Sequence, residues 1–362
     1  MTIKVAVVHD YLTQRGGAER VALEIARAFP GAPIYTSFSE PAQTFDGFAQ
    51  HEIHSSRWNK FSALRHDPRR AFPILASIFG RLEIDADIVI CSSSGWSHGV
   101  KTRGTKIVYC HTPARWLWEP KDYFKGSPSF VRRLLIALTG TTRTWDKNAA
   151  DNGDLYIANS TVVQERIARA YGIESVLLHP PAALREAAER IDLPYADGDF
   201  FLTVGRPRAY KNTRSAITAF EKRPERNLVV VGDGWIDGEA QSANITFLSG
   251  ITDAELTGLY ERAEGVIALS HEDFGLTPIE AFAAGTPVLA LKAGGFLDTC
   301  IEGTNAVFVS ALSTKEILDG VDRFDRIDWD RDAIRGSAVP FSPEAFRERL
   351  HQLVDEATKR AA

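Results

Sequence analysis

Ser270-His271-Glu272-Asp273-Phe274-Gly275-Leu276-Thr277-Pro278-Ile279-Glu280-Ala281 is the stretch on which the reading of this chain turns. It follows an apolar strand pattern, Gly265-Val266-Ile267-Ala268-Leu269, and leads into a helical pattern that stops at Gly285. Glu272 leaves the strand end and Glu280 sits in the first helical turn, with seven residues between them. That interval is a turn of small residues whose backbone amides can face an anion. A strand end, bare amides at a helix start and two hydroxyl-seeking carboxylates together point to a pocket for a phosphorylated sugar. The same residues admit a plainer reading, with Thr277 as N-cap, Pro278 at the first helical position and Glu280 closing a capping box. The plainer reading leaves Glu272, Phe274 and Gly275 unexplained.

Working outward, short apolar runs alternate with longer helical patterns. In the first half, strands are predicted at Ile3–His9, Pro33–Phe38, Asp87–Cys91, Thr105–Cys110, Leu155–Asn159 and Ser175–His179. In the second half they fall at Phe200–Val204, Leu228–Val231, Ile245–Leu248, Val266–Ser270, Pro287–Leu291 and Ala306–Val309. Val21, Ile25 and Phe29 recur at four-residue steps and mark one buried helical stripe. Such alternation implies parallel sheets covered on both faces, and two sheets make two doubly wound α/β domains. His179-Pro180-Pro181 is the best boundary, because adjacent prolines stop a strand and stiffen the exit. The domains are therefore expected at 1–181 and 182–341. Residues 342–362 form a capped amphipathic helix with Phe346, Leu350, Leu353 and Ala357 on one side, expected to pack across the two domains.

The 362 residues exceed what one compact core usually holds. Hydrophobic content of 44% and charged content of 25% are those of a soluble globular chain. Cys91, Cys110 and Cys300 have no metal-like spacing, which argues for a reducing compartment and against a disulfide frame or a zinc site. The first residues form a short strand rather than a signal peptide, and no apolar run nears the ~20 residues of a membrane span. A cytoplasmic location is expected, peripheral on the inner face of the plasma membrane if the following feature serves that purpose. Net charge is −5, yet cations are in excess in the first half. Between 54 and 82 lie Arg57, Lys60, Arg65, Arg69, Arg70 and Arg81, interleaved with Trp58, Phe61 and Phe72. Between 115 and 147, Trp116, Trp118, Tyr123, Phe124 and Trp145 stand among further cations. Basic and aromatic together suit an anionic membrane face or a phosphate-bearing acceptor, and a solvated surface explains them equally. Nucleic acid is disfavoured by the acidic total and the lack of a binding motif.

The first strand leads to His9-Asp10-Tyr11-Leu12-Thr13-Gln14-Arg15-Gly16-Gly17-Ala18-Glu19, which has neither a dinucleotide fingerprint nor a Walker lysine. It offers Gly16-Gly17 at a helix start, where a phosphate or sugar can approach bare backbone or where a tight turn simply needs them. In the second half, Gly205-Arg206-Pro207-Arg208-Ala209-Tyr210-Lys211-Asn212 follows a strand. Arg206 and Lys211 at a strand end can place two cations over one crevice, or can be solvated. A diphosphate leaving group needs such cations, because its charge grows as the glycosidic bond breaks.

These segments, with Val231-Gly232-Asp233-Gly234 and Ala284-Gly285-Thr286-Pro287-Val288, resemble the donor half of the GT-B glycosyltransferases, and more narrowly the retaining family 4. The amino-terminal motifs His9-Asp10-Tyr11-Leu12, Gly16-Gly17-Ala18-Glu19-Arg20, Ala32-Pro33-Ile34-Tyr35-Thr36 and Tyr109-Cys110-His111-Thr112-Pro113 resemble the mannosyltransferase branch of O-antigen and exopolysaccharide assembly. The resemblance implies two Rossmann-like domains facing a cleft. It implies that Arg206 and Lys211 hold the donor diphosphate and that Glu272 contacts sugar hydroxyls. Glu280 contacts the ribose, and amides of Phe274, Gly275 and Leu276 complete the cradle. It further places Gly16, Gly17, Gly205, Gly232, Gly250 and Ile251 around the donor, the last two near the base. His111 touches the transferred sugar or its phosphate, although a lone histidine at a strand end is more often a structural hydrogen-bonder.

The implied reaction moves a hexose, mannose from GDP-mannose, to a hydroxyl of a lipid-linked or glycan acceptor, with anomeric configuration retained. No cofactor and no metal are expected, because side-chain cations already meet the diphosphate. A UDP-sugar donor, a nucleotide-sugar 2-epimerase of the same fold and a non-catalytic sugar-nucleotide-binding subunit are the alternatives. The acceptor itself is not written in the sequence.

Overall fold

The computed structural model describes residues 3–120, 140, 142–182, 189–195, 197–205, 211–235 and 242–361. Two compact units result, one of Met1–Pro181 with Phe346–Ala362 and one of Ala182–Ala345.

The first unit contains β1 (Val5–His9), β2 (Ile34–Thr36), β3 (Ile53–Ser55), β4 (Glu83–Ile84), β5 (Ile88–Ser93), β6 (Lys101–Thr102), β7 (Thr105–Cys110), β8 (Leu155–Ala158) and β9 (Val176–Leu177). Seven of these form one sheet in the order β3-β2-β1-β5-β7-β8-β9, and β4 pairs with β6 apart from it. Every described pairing in the large sheet is parallel. Parallel strands are covered on both faces, and here successive side chains go to opposite cores. Ala6 and Val8 enter one cluster with Val108 and Cys110, while Val7, Ile107 and Tyr109 enter the other. The helix Gly17–Ala28 buries Val21, Ala22, Ile25 and Ala26 in that second cluster.

The helix Pro343–Ala361 completes the same cluster with Phe346, Leu350, Leu353, Val354 and Ala357. Ser342 Oγ accepts from Ala345 N at 3.2 Å, so the expected cap is present. Arg347 pairs with the buried Glu24 at 2.6 Å, and the Phe346 ring meets Tyr109 edge-on at 5.8 Å.

The second unit contains β10 (Phe200–Val204), β11 (Asn227–Val231), β12 (Ile245–Leu248), β13 (Gly265–Ala268), β14 (Val288–Leu291) and β15 (Ala306–Val309). Its sheet runs β12-β11-β10-β13-β14-β15, again all parallel. Phe201 packs with helices Thr213–Glu221 and Thr314–Phe324 through Ala216, Phe220, Ile317 and Val321. Phe200 and Leu202 face the other layer, with Leu259, Ile279, Phe282 and Ile334 from three further helices. Both doubly wound units expected from the sequence are present, and the boundary falls after Pro181.

The strand β3 was not predicted. It lies at the sheet edge, is three residues long and exposes His54 and Ser55, so it carries no apolar period. Several predicted strands also stop short: β1 starts at Val5, β2 spans only Ile34–Thr36, β9 only Val176–Leu177, and β13 ends at Ala268 rather than Ser270.

Candidate functional site

In each sheet the chain reverses its direction of winding beside one strand. Loops after the two strands flanking that point diverge and leave a crevice at their carboxyl ends. In the second unit the reversal lies between β10 and β13.

Lys211 follows β10 and Glu272 follows β13. Lys211 Nζ stands 2.6 Å from Glu272 Oε1, and the two side chains are 24% and 22% exposed. Asn212 fixes the lysine's turn: it adopts φ 53°, a left-handed conformation that asparagine tolerates, and its Nδ2 donates to Leu269 O at 2.8 Å. Gly205 N donates to Val231 O at 2.8 Å, and Gly205 O accepts from Trp235 Nε1 at 2.9 Å. Arg206 lies outside the described residues. The neighbouring strand ends are tied in the same way. Gly232 N donates to Leu248 O at 3.0 Å, Gly250 N reaches Asp233 Oδ1 at 3.4 Å, and Ile251 rests half-buried on the core.

The loop carrying Glu272 is held by a glycine pair that the sequence reading passed over. Gly295 N donates to Glu272 O at 3.1 Å. A Cβ on Gly294 would come within 2.3 Å of Glu272 O, and one on Gly295 within 2.3 Å of Phe274 Cα. Gly294 also has φ +63°, so its backbone and its packing both exclude a side chain. The adjacent letters Gly294-Gly295 after β14 were the available signal. The Phe274 side chain is a core anchor, 5% exposed and 6.0 Å from the Phe341 ring. Gly275 turns the chain beside Phe296, and Leu276 precedes the helix Thr277–Ala283.

That helix overturns the capping-box reading of Glu280. Leu276 is the N-cap, no side chain caps it, and Thr277 is already helical. Glu280 therefore sits one position too deep to reach the cap amide. Its own N–H bonds Leu276 O at 3.0 Å, and its Oε2 accepts from Tyr260 OH at 3.1 Å. A true capping box exists elsewhere, at Thr252 and Glu255.

In the first unit the winding reverses between β1 and β5. His9 ends β1, Ser92 lies at the end of β5, and His111 follows β7. His9 Nδ1 is 3.2 Å from Ser92 O and 3.0 Å from Ser92 Oγ, which in turn is 2.8 Å from His111 Nε2. Burial, with His9 beside it, pulls the His111 imidazole down to about 3, so the ring is neutral. Asp10 Oδ1 and Oδ2 accept from Ser97 N and Ser94 N, both at 2.7 Å, and brace the loop after β5. Burial raises the Asp10 carboxyl despite those bonds and the nearby His9.

Gly16 caps the helix Gly17–Ala28 in extended conformation, and the reason it is glycine is local. A Cβ there would lie 2.5 Å from Glu19 Oε2. Glu19 is 2% exposed, accepts from Gln14 Nε2 at 2.9 Å and reaches His9 Nε2 at 3.8 Å. Ser92 and Glu19 received no role from the sequence. The hydroxyl run Ser92-Ser93-Ser94 at a central strand end was the signal for the former.

The basic-aromatic segments resolve differently from one another. Trp116 is buried and stacks on Trp96 at 4.9 Å, Trp118 Nε1 donates to the buried Asp146 at 2.7 Å, and Trp145 packs against the same core. Residues 121–139 and 141 lie outside the described part. Arg65 is engaged by Glu40 and Asn59 O, and Arg70 approaches Asp67. At 57–61, by contrast, Arg57 lies over Trp58 and Lys60 over Phe61, whose side chain is 45% exposed.

Two parallel doubly wound units, each with its polar residues gathered at the strand ends beside the switch point, define the GT-B glycosyltransferase architecture. Residues 15–182 match Glycosyltransferase Family 4, and residues 185–338 match Glycosyl transferases group 1. The chain belongs to that family. It is similar to the D-inositol 3-phosphate glycosyltransferase of Mycobacterium tuberculosis, 27% identical over 207 residues that cover 50% of this chain and 43% of the relative. The match thus spans less than half the length of the curated relatives. Among solved structures, Anabaena HepE in complex with UDP and glucose superposes with a TM-score of 0.66 at 16% identity, covering 98% of this chain and 100% of that one. The lipopolysaccharide outer core galactosyltransferase WaaB gives 0.67 at 15%, covering 98% and 99%.

Proposed function

We propose that this chain is a retaining hexosyltransferase that takes its sugar from a nucleoside diphosphate and delivers it to a hydroxyl of a lipid-linked or glycan acceptor. The Lys211–Glu272 pair at the switch point carries the reading. An ammonium has three donors, so Lys211 can serve Glu272 and a phosphate oxygen together. As the anomeric carbon–oxygen bond breaks, charge gathers on the diphosphate, and a fixed cation answers it at the place where it forms. Arg206 is the second cation by family resemblance. Glu272 accepts from sugar hydroxyls, and Glu280, steadied by Tyr260, accepts from the ribose.

Retention follows from substitution on one face. The acceptor oxygen bonds to the anomeric carbon, the diphosphate departs with the bonding pair, and the acceptor's proton passes to the departing phosphate oxygen. No protein nucleophile is used, in contrast to the two-carboxylate route of retaining hydrolases. Turnover is expected without a divalent ion, so EDTA should leave it intact. Loss restored by Mg²⁺ or Mn²⁺ would refute that point.

The amino-terminal motifs favour mannose from GDP-mannose. A UDP-hexose is the second reading, supported by the complex of Anabaena HepE with UDP and glucose. Calorimetry with GDP, UDP, ADP and their mannose, glucose and N-acetylglucosamine conjugates separates the two. NMR of donor and protein without acceptor separates transfer from epimerisation. Binding of nucleotide with no transfer to any lipid-linked or glycan acceptor would sink the enzymatic reading. We further propose peripheral attachment to an anionic cytoplasmic membrane face through 57–61. Among the described residues no helix is long and apolar enough to cross a membrane.

A further inference from the structure

We propose that Ser92 is a positioning residue that holds His111 as the neutral tautomer protonated on Nδ1, so that the ring meets substrate solely as a hydrogen-bond donor. The proposal rests on the assignment of His111 to the sugar site, but the tautomer follows from the local bonds alone.

Ser92 O is a carbonyl and can only accept. It takes one bond from Ser97 Oγ at 2.9 Å and a second from His9 Nδ1 at 3.2 Å, so His9 Nδ1 carries a hydrogen. The same Nδ1 stands 3.0 Å from Ser92 Oγ, which must then be the acceptor in that contact. The hydroxyl has one proton to place. Its remaining neighbour is His111 Nε2 at 2.8 Å, and a nitrogen that accepts there bears no hydrogen. A neutral imidazole with a bare Nε2 is protonated on Nδ1. The opposite tautomer would point two N–H groups at one hydroxyl and strand its proton in a site where Ser92 and His9 are 0% and 1% exposed.

Neighbouring groups keep the chain of bonds in this sense. Glu19 Oε1 stands 3.8 Å from His9 Nε2, beyond hydrogen-bond reach, so the bonded nitrogen of His9 is Nδ1. The backbone holds the far end: His111 N donates to Ser93 O at 2.8 Å, and His111 O accepts from Asn159 Nδ2 at 3.0 Å. Among the described residues the ring's Nδ1 has no hydrogen-bond partner. It is the position left to meet an oxygen lone pair of a sugar hydroxyl or a phosphate. Such a ring cannot take the acceptor's proton at Nδ1, because that nitrogen already holds one.

The test uses the full chain with ¹⁵N-labelled histidine and long-range ¹H–¹⁵N correlation of the ring nitrogens, with His111→Gln to assign the signals. Wild type should show His111 with a protonated Nδ1 and a bare Nε2. Ser92→Ala removes the donor to Nε2 but leaves the backbone carbonyl that holds His9, so the fold should persist. Its His111 signals should move toward the Nε2-protonated form. Ser92→Thr, which restores a hydroxyl, should return them. In transfer assays, kcat of Ser92→Ala should fall about tenfold with little change in donor KM, as expected for one misdirected hydrogen bond. A wild-type ring protonated on Nε2, or a tautomer unmoved by Ser92→Ala, overturns the proposal even in an active transferase. The expected spectra in a protein that transfers no sugar would uphold the tautomer and refute only the enzymatic role.

Discussion

Lys211 and Glu272 hold one another before any ligand arrives, so a substitution at either acts on both. Lys211→Ala should lower kcat by ~10²–10³, the usual loss for one electrostatic stabiliser of a leaving group. Its melting temperature should fall only modestly, because both side chains keep about a quarter of their surface in water. Steady-state kinetics beside a thermal melt checks both halves, and wild-type turnover would return Lys211 to the surface. His111 makes a different expectation, about acid. Its buried ring titrates near 3 rather than 6.5, so between those values the unfolded chain holds a proton that the folded chain lacks. The stabilisation is complete above about 6.5 and drains away as pH falls toward 3. Urea titrations from pH 7 to 4 should therefore show a shallower acid slope for His111→Gln, by about one proton. Equal slopes would place the ring's titration elsewhere.

At the scale of elements, the strands were legible where both faces are buried. Phe200-Phe201-Leu202-Thr203-Val204 and Thr105–Cys110 were readable to the residue because apolar side chains fill both layers. Edge strand Ile53–Ser55 was not, since half its surface meets water. Glu280 was legible as a residue of interest and illegible in its role. One register step separates a cap-closing glutamate from one that faces Tyr260, and only the helix start decides it. Glu280→Gln keeps an acceptor for Tyr260, so melting should hold while nucleotide affinity weakens by ~1.5–3 kcal/mol, the range for a charge-assisted bond. Calorimetry beside the melt measures this, and unchanged affinity would leave Glu280 a structural partner of Tyr260. The glycine pair after β14 makes a sharper case. Gly294→Ala should displace Glu272 through its carbonyl and abolish transfer without touching a ligand directly, and wild-type kcat in that variant would contradict the contact.

For the whole molecule, the alternation of strands and helices foretold two doubly wound units. Long-range pairing was hidden, because nothing local in Lys211 names Glu272, and nothing local in Arg65 names Glu40. The membrane proposal shifts accordingly. Arg65 is spent internally, so the informative charge reversal is Arg57→Glu with Lys60→Glu beside the exposed Phe61. Binding to vesicles containing anionic lipid should weaken in that variant and in high salt, and indifference to both would remove the membrane face. The last helix belongs to the first unit's core, where Phe346, Leu350 and Leu353 join Val21, Ile25 and Ile34. On the ribosome, then, the first unit must wait with one flank uncovered until the second unit has been translated. Cotranslational folding of the second unit can finish first, reversing the amino-to-carboxyl sequence by which domains generally mature.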